Sequence, residues 1–139
     1  MRSYIDSIAD FKRRVTVEVM VGNTPLGGGN PIRVQTMTTT DTNNTQATVE
    51  QCIRAIEAGA EFVRITTQGT REAANLQNIK GELIARGYTT PIVADVHFNP
   101  AAALEAAKHV EKVRINPGNY VDPRAKFETV SYTDQEYAD

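Results

Sequence analysis

An α/β fold is predicted, a partial TIM-type β/α barrel of about four βα units preceded by a short β-hairpin, and three observations predict it. Four Val- and Ile-rich segments recur along the chain, and each gap between them holds one helical segment. No strand leads into a GxGxxG or P-loop sequence, which leaves a nucleotide-binding doubly wound sheet without support.

Residues 1–30 form an N-terminal segment with the hairpin. The run from Arg14 to Asn23 alternates as a half-buried strand does, Gly22-Asn23 supplies the turn, and Thr24 to Gly27 returns. Pro25 confines that return to a sheet edge. The glycines at 27 to 29 are read as a loop, because no helix follows to make them a phosphate cradle.

Residues 31–119 hold the first half of the barrel. Ile32 to Met37 is the first strand, and a helix starting near Asn44-Thr45 carries an apolar stripe at Val49, Cys52, Ile53 and Ile56 before Gly59 stops it. Glu61 to Thr66 is the second strand. Its helix places Ala73, Leu76, Ile79, Leu83 and Ile84 on one stripe and ends at Gly87. Pro91 to Val96 is the third strand, after which Asn99 caps a short alanine-rich helix with Pro100 in its first turn. Glu111 to Asn116 is the fourth. One helix per connection implies parallel pairing with right-handed crossovers. A closed eight-stranded barrel takes roughly 250 residues, so four strands make about half of one. Residues 120–139, acidic and tyrosine-bearing without clear period, are read as a linker or an incomplete element.

The 139 residues suit one domain, and 40% of them are hydrophobic, enough for a core. A formal charge of −2 gives no global reason to expect nucleic acid or an anionic membrane as partner, and any anion site must be local. Without a long apolar run or an apolar signal core at the N-terminus, the chain is expected to be cytoplasmic. The one cysteine, Cys52, cannot form an internal disulfide or hold a metal by itself, and its place on an apolar stripe marks it as a buried thiol. His109 is expected at a helix end or facing solvent.

Active sites of β/α barrels form at the carboxyl ends of the strands. Arg64 and Arg114 stand inside apolar strands, where a guanidinium must meet an anion or a carboxylate. They either pair with Asp95 or converge on a phosphate or diphosphate, for which a forked donor is suited, and the second is favoured. Asp95 and His97, two apart, share one side of their strand. They serve acid–base work or hydrogen bonding better than metal binding, because the neighbouring Arg and Asn residues add no further ligands. Asn116 and Asn119 flank a Pro-Gly turn beside Arg114, a grouping that points to ligand contact. The expected substrate-binding set is therefore Arg64, Asp95, His97, Arg114, Asn116 and Asn119. No residue is assigned a catalytic step and no metal ligand is expected.

Four blocks now carry a family likeness: Pro31 to Thr38 (PIRVQTMT), Gly59 to Arg64 (GAEFVR), Val93 to Phe98 (VADVHF) and Arg114 to Asn119 (RINPGN). In order and spacing the chain resembles the amino-terminal part of 4-hydroxy-3-methylbut-2-enyl diphosphate synthases. The resemblance implies a barrel that binds methylerythritol cyclodiphosphate, with positions matching Arg64, His97, Arg114 and Asn116 around the diphosphate and Asp95 in the same cluster. It implies an oxidoreductase of the non-mevalonate isoprenoid route that opens the ring reductively with two electrons from ferredoxin or flavodoxin. It also implies a [4Fe–4S] cluster held outside this chain by three cysteines and a glutamate, so that the chain alone is inactive. A homo-oligomer is expected, because open sheet edges seek partners. Two alternatives are kept: a cluster-free diphosphate-binding barrel resembling dihydropteroate synthase, and a non-enzymatic half-barrel that pairs with itself.

Overall fold

The structure is a computed structural model that describes residues 14–120 together with Thr133 and Gln135, and of Asn119 the backbone alone. The expectation for the tail after Tyr120 and the first part of the N-terminal segment lie outside the described residues. Among the described residues ten elements follow in order: β1 (Val19–Val21), β2 (Thr24–Leu26), β3 (Gln35–Met37), α1 (Thr45–Glu57), β4 (Phe62–Thr67), α2 (Thr70–Ala85), β5 (Ile92–Val96), α3 (Pro100–Ala106), β6 (Lys112–Arg114) and a 3-10 turn at Pro117–Asn119. Strands β3, β4, β5 and β6 form a parallel sheet in sequence order, and β1 pairs with β2 as an antiparallel hairpin. Sequential parallel strands with one helix per connection are the βα arrangement expected of part of a barrel.

The register sorts the side chains onto two faces. Met37 pairs with Arg64, Thr66 with Asp95, and Asp95 with Arg114, so these residues share one face of the sheet. On the other face Val63, Ile65, Ile92, Ala94 and Val96 pack under Val49 and Cys52 of α1, Leu76, Ile79 and Leu83 of α2, and Ala102, Ala103 and Ala106 of α3. The polar residues of the strands are thereby kept from the helix-facing core.

Local chemistry fixes the helix starts. The Asn44 side chain accepts from the Ala47 amide at 3.1 Å and Asn99 from Ala102 at 3.2 Å, with Pro100 opening α3. Ile84 departs from expectation. It is 53% exposed, because it lies about 100° around the helix from Leu83 and off the line that Leu76, Ile79 and Leu83 make toward the sheet.

The edge strands are also shorter than their sequences suggest. β3 omits Ile32 to Val34 and β6 omits Glu111, Ile115 and Asn116. Each has a single neighbour among the described strands, so only the residues opposite β4 or β5 are paired. At the opposite, amino-terminal end a recurring brace compensates. Glu61 Oε2 accepts from the Val34 amide at 2.8 Å and Glu111 Oε2 from the Ile92 amide at 3.0 Å, while the remaining oxygens meet Arg33 and Lys80.

The hairpin is shorter than the alternation predicts as well. Val15 and Val17 are exposed, and only Val19 to Val21 pair. Val21 and Leu26 pack on Phe62 and Val93, which closes the amino-terminal end of the polar face. A Cβ at Gly22 would lie 3.2 Å from Glu111 and 3.3 Å from Pro91, so the turn needs glycine to seat itself there.

Cys52 is fully buried on α1, and burial pushes its thiol up to about 11 against a backbone hydrogen bond that works the other way. The expected result is that a disulfide reagent at pH 8 labels Cys52 about 100-fold more slowly in the native chain than in urea. Equal rates would show that the packing of α1 on the core does not cover it.

Candidate functional site

At the carboxyl ends of the strands, Met37, Arg64, Thr66, Gln68, Asp95, His97 and Phe98 line a cavity of about 570 Å³. A hollow of about 600 Å³ lies at the other end, against the hairpin and the starts of β3, β4 and β6. It gathers no acid–base cluster, and in a β/α fold the strand carboxyl ends are where ligands meet converging loops. We take the former as the site.

Asp95 is its hub. Only 3% exposed, it receives Arg64 Nη2 at 2.6 Å and His97 Nε2 at 3.1 Å on one oxygen, and Arg114 Nη1 at 3.1 Å on the other. Burial works to raise its pKa. The hydrogen bonds from Arg64 and His97 outweigh that and hold the carboxyl below the usual range. With Nε2 directed at a carboxylate, the neutral His97 ring carries its proton there and leaves Nδ1 as an acceptor. The acid thus orients three side chains from three strand ends.

The pairing of both arginines with Asp95, the reading set second on sequence grounds, is what the structure contains. It does not consume them. Each guanidinium has five N–H groups, and Arg114 is 37% exposed on its side chain. Arg64, Asp95 and Arg114 bring two fixed positive charges against one negative, which leaves the cluster net cationic even with His97 neutral.

Asn116 has a local partner in the structure. Its side-chain oxygen accepts from the Gly118 amide at 3.2 Å and caps the 3-10 turn, a local role that Pro-Gly sequences invite. Neither Asn116 nor Arg114 is among the residues lining the cavity, although Arg114 bonds Asp95, which is. The Asn119 side chain lies outside the description. Among the other strand-end polar residues, Thr67 donates to Ile65 O at 3.2 Å from the helix-facing side, and the Thr66 carbonyl accepts from Thr42 at 2.6 Å. His109 is helix-terminal as expected but half-buried, with Nε2 3.0 Å from Glu105.

Phe98 is the residue that sequence reasoning passed over. It has φ +54°, the one non-glycine among the described residues with positive φ, and it is 50% exposed at the cavity mouth with its ring 6.1 Å from that of His97. An L-residue in the left-handed region costs about 1–2 kcal/mol. The available signal was its position between a strand end and the Asn99 cap, which squeezes the direction change into two residues, His97 and Phe98.

The residues present do not fit an iron–sulfur cluster. Among those described, no group of three or more His, Cys, Asp and Glu could hold a metal ion, and the single cysteine is buried in the core on the inner side of α1. No described helix is long and apolar enough to cross a membrane.

Comparison with known proteins adds to this geometry. The GcpE TIM-barrel domain family matches residues 16–138. The chain is 60% identical over 129 residues to the 4-hydroxy-3-methylbut-2-en-1-yl diphosphate synthase (flavodoxin) of Phocaeicola vulgatus, covering 93% of the chain and 21% of that protein. It is 56% identical over 135 residues to the flavodoxin-designated synthase of Akkermansia muciniphila, covering 97% and 23%. It is 49% identical over 136 residues to the chloroplastic, ferredoxin-designated synthase of Oryza sativa subsp. japonica, covering 98% and 18%. The chain spans about a fifth of the length of the curated relatives it matches.

Proposed function

Because the chain belongs to the GcpE TIM-barrel domain family, we propose that it is the substrate-binding barrel portion of a 4-hydroxy-3-methylbut-2-enyl diphosphate synthase, an oxidoreductase of isoprenoid biosynthesis. The observation that carries this reading is the cluster of Arg64, His97 and Arg114 about one buried carboxylate at the strand ends. Such a net cationic, forked-donor site suits the diphosphate of methylerythritol cyclodiphosphate.

In this role the chain binds and orients. Arg64 and Arg114 offer their remaining N–H groups to phosphate oxygens, and Asp95 keeps both guanidinium planes and the His97 ring in register. His97 takes either part according to its charge: it accepts a ligand hydroxyl through Nδ1 when neutral, or donates to a phosphate oxygen when protonated. The reductive ring opening itself requires a [4Fe–4S] cluster and two electrons from flavodoxin or ferredoxin. With one cysteine in its sequence the chain cannot supply such a cluster by itself, so on this reading that step falls to other parts of the full-length protein and the chain alone is inactive. The open edges β3 and β6 favour association with further strands or with a second copy. On this reading the enzyme works in the cytoplasm.

The test is an anaerobic assay of the full-length protein after iron and sulfide reconstitution, following cluster absorbance and conversion of methylerythritol cyclodiphosphate together. Turnover in the full-length protein and none in the 139-residue chain is the expected result. A reconstituted full-length protein without turnover would overturn the reading and return attention to a cluster-free diphosphate-binding barrel.

A further inference from the structure

The cavity is chemically two-sided. Its charged part is formed by Arg64, Asp95 and His97, while Met37 and Phe98 supply its large apolar side chains. These two stand on opposite sides of β4, Met37 on β3 in register with Arg64 and Phe98 just past the end of β5. Both are about half exposed, 46% and 50%, although the helix-facing core of the same sheet is closed.

Phe98 is also held in a backbone conformation that an aromatic residue resists, and strain of this kind persists where the surroundings fix a side chain for use. The Asn99 cap on the Ala102 amide and the end of β5 at Val96 leave His97 and Phe98 to make the turn between them. Glycine, asparagine or aspartate would make that turn with less strain. An aromatic there contributes no buried core contact to offset its cost, but it does present a ring at the cavity mouth, beside the imidazole that Asp95 holds.

We propose that Phe98 is a specificity-determining residue: its ring is the apolar wall on which the carbon skeleton of a diphosphate-bearing ligand lies, while the arginine cluster holds the charged end. This deepens the proposed function and rests on it for the identity of the charged end. A ring against a small, partly apolar skeleton excludes water and fixes which face of the skeleton meets His97, an effect inorganic diphosphate cannot draw on.

The experiment uses the reconstituted full-length protein with Phe98→Asn and Phe98→Tyr, measuring KM and kcat for the organic cyclic diphosphate and the inhibition constant of inorganic pyrophosphate. Asparagine accepts the left-handed backbone and removes the ring; tyrosine retains the ring. The expected result is a KM raised about tenfold in Phe98→Asn, the loss of one favourable apolar contact, with pyrophosphate inhibition changed less than about twofold and KM restored in Phe98→Tyr. An unchanged KM in Phe98→Asn would overturn the proposal. So would an equal weakening of organic and inorganic ligands, which would make Phe98 a support of the arginine cluster. If pyrophosphate fails to inhibit the unaltered protein, the diphosphate reading falls, while the KM comparison still decides whether the ring contacts the skeleton.

Discussion

Arg114→Ala in the full-length protein is expected to raise KM, lower kcat and reduce kcat/KM by roughly tenfold to hundredfold. A charge-assisted hydrogen bond contributes about 1.5–3 kcal/mol, and each 1.4 kcal/mol is about a factor of ten. Arg114 sits on the edge strand β6 and spends one donor on Asp95 at 3.1 Å, with the rest of a partly exposed guanidinium available to a ligand. Truncation leaves Asp95 still bound by Arg64 and His97, so the fold should survive and the thermal midpoint should move by less than about 3 °C. Arg114→Lys keeps the charge but not the planar fork, and should recover only part of the loss. Steady-state kinetics with the cyclic diphosphate check this. Unchanged constants would remove Arg114 from the site and leave it a partner of Asp95 alone.

The contrast between that arginine and Asn116 shows what a sequence carries and what it does not. Alternation and helical period report burial against one dominant neighbour, so Val63 and Ile65, or Leu76 and Ile79, were legible from the chain alone. Capping is equally local, and Asn44 and Asn99 do what their positions suggest. Strand ends are different. Whether Ile32 or Ile115 belongs to a strand depends on how far the neighbouring strand extends beside it, and that is a property of the sheet rather than of the segment.

The site divides along the same line. That arginines inside apolar strands need anions follows from the cost of burying charge, and it located the cluster. That one carboxylate would receive all three partners follows from the register of Asp95 beside Arg114 and Thr66, which only the paired sheet supplies. Asn116 has two outlets of similar energy, its own turn and a ligand, and the nearer amide takes its oxygen. Phe98 has no compositional signature at all. Its importance lies in a backbone angle set by the elements on both sides of it.

Asp95→Ala is expected to produce the largest stability change among the site residues, about 2 kcal/mol at pH 7. Removing the buried partner of an ion pair costs about 3–5 kcal/mol when the remaining charge stays buried, but here the arginines are partly exposed and solvent recovers a share of that. The pH dependence identifies the cause. The folded-state pKa of Asp95 is depressed because Arg64 and His97 outweigh the opposing effect of burial. Its contribution is therefore fully present above the unfolded carboxyl value of about 4 and is lost as pH falls through the lower folded value. The gap between Asp95→Ala and the unaltered chain should be wide at pH 7 and narrow progressively below about pH 4, as read by urea unfolding at fixed ionic strength. Asp95→Asn, which keeps the shape and loses the charge, should show the same narrowing. A gap that stays constant from pH 7 to pH 3 would mean that the side chain stabilises by packing rather than by charge. Asp95 could then not be what holds Arg64, His97 and Arg114 in position, because that role requires its ionised form.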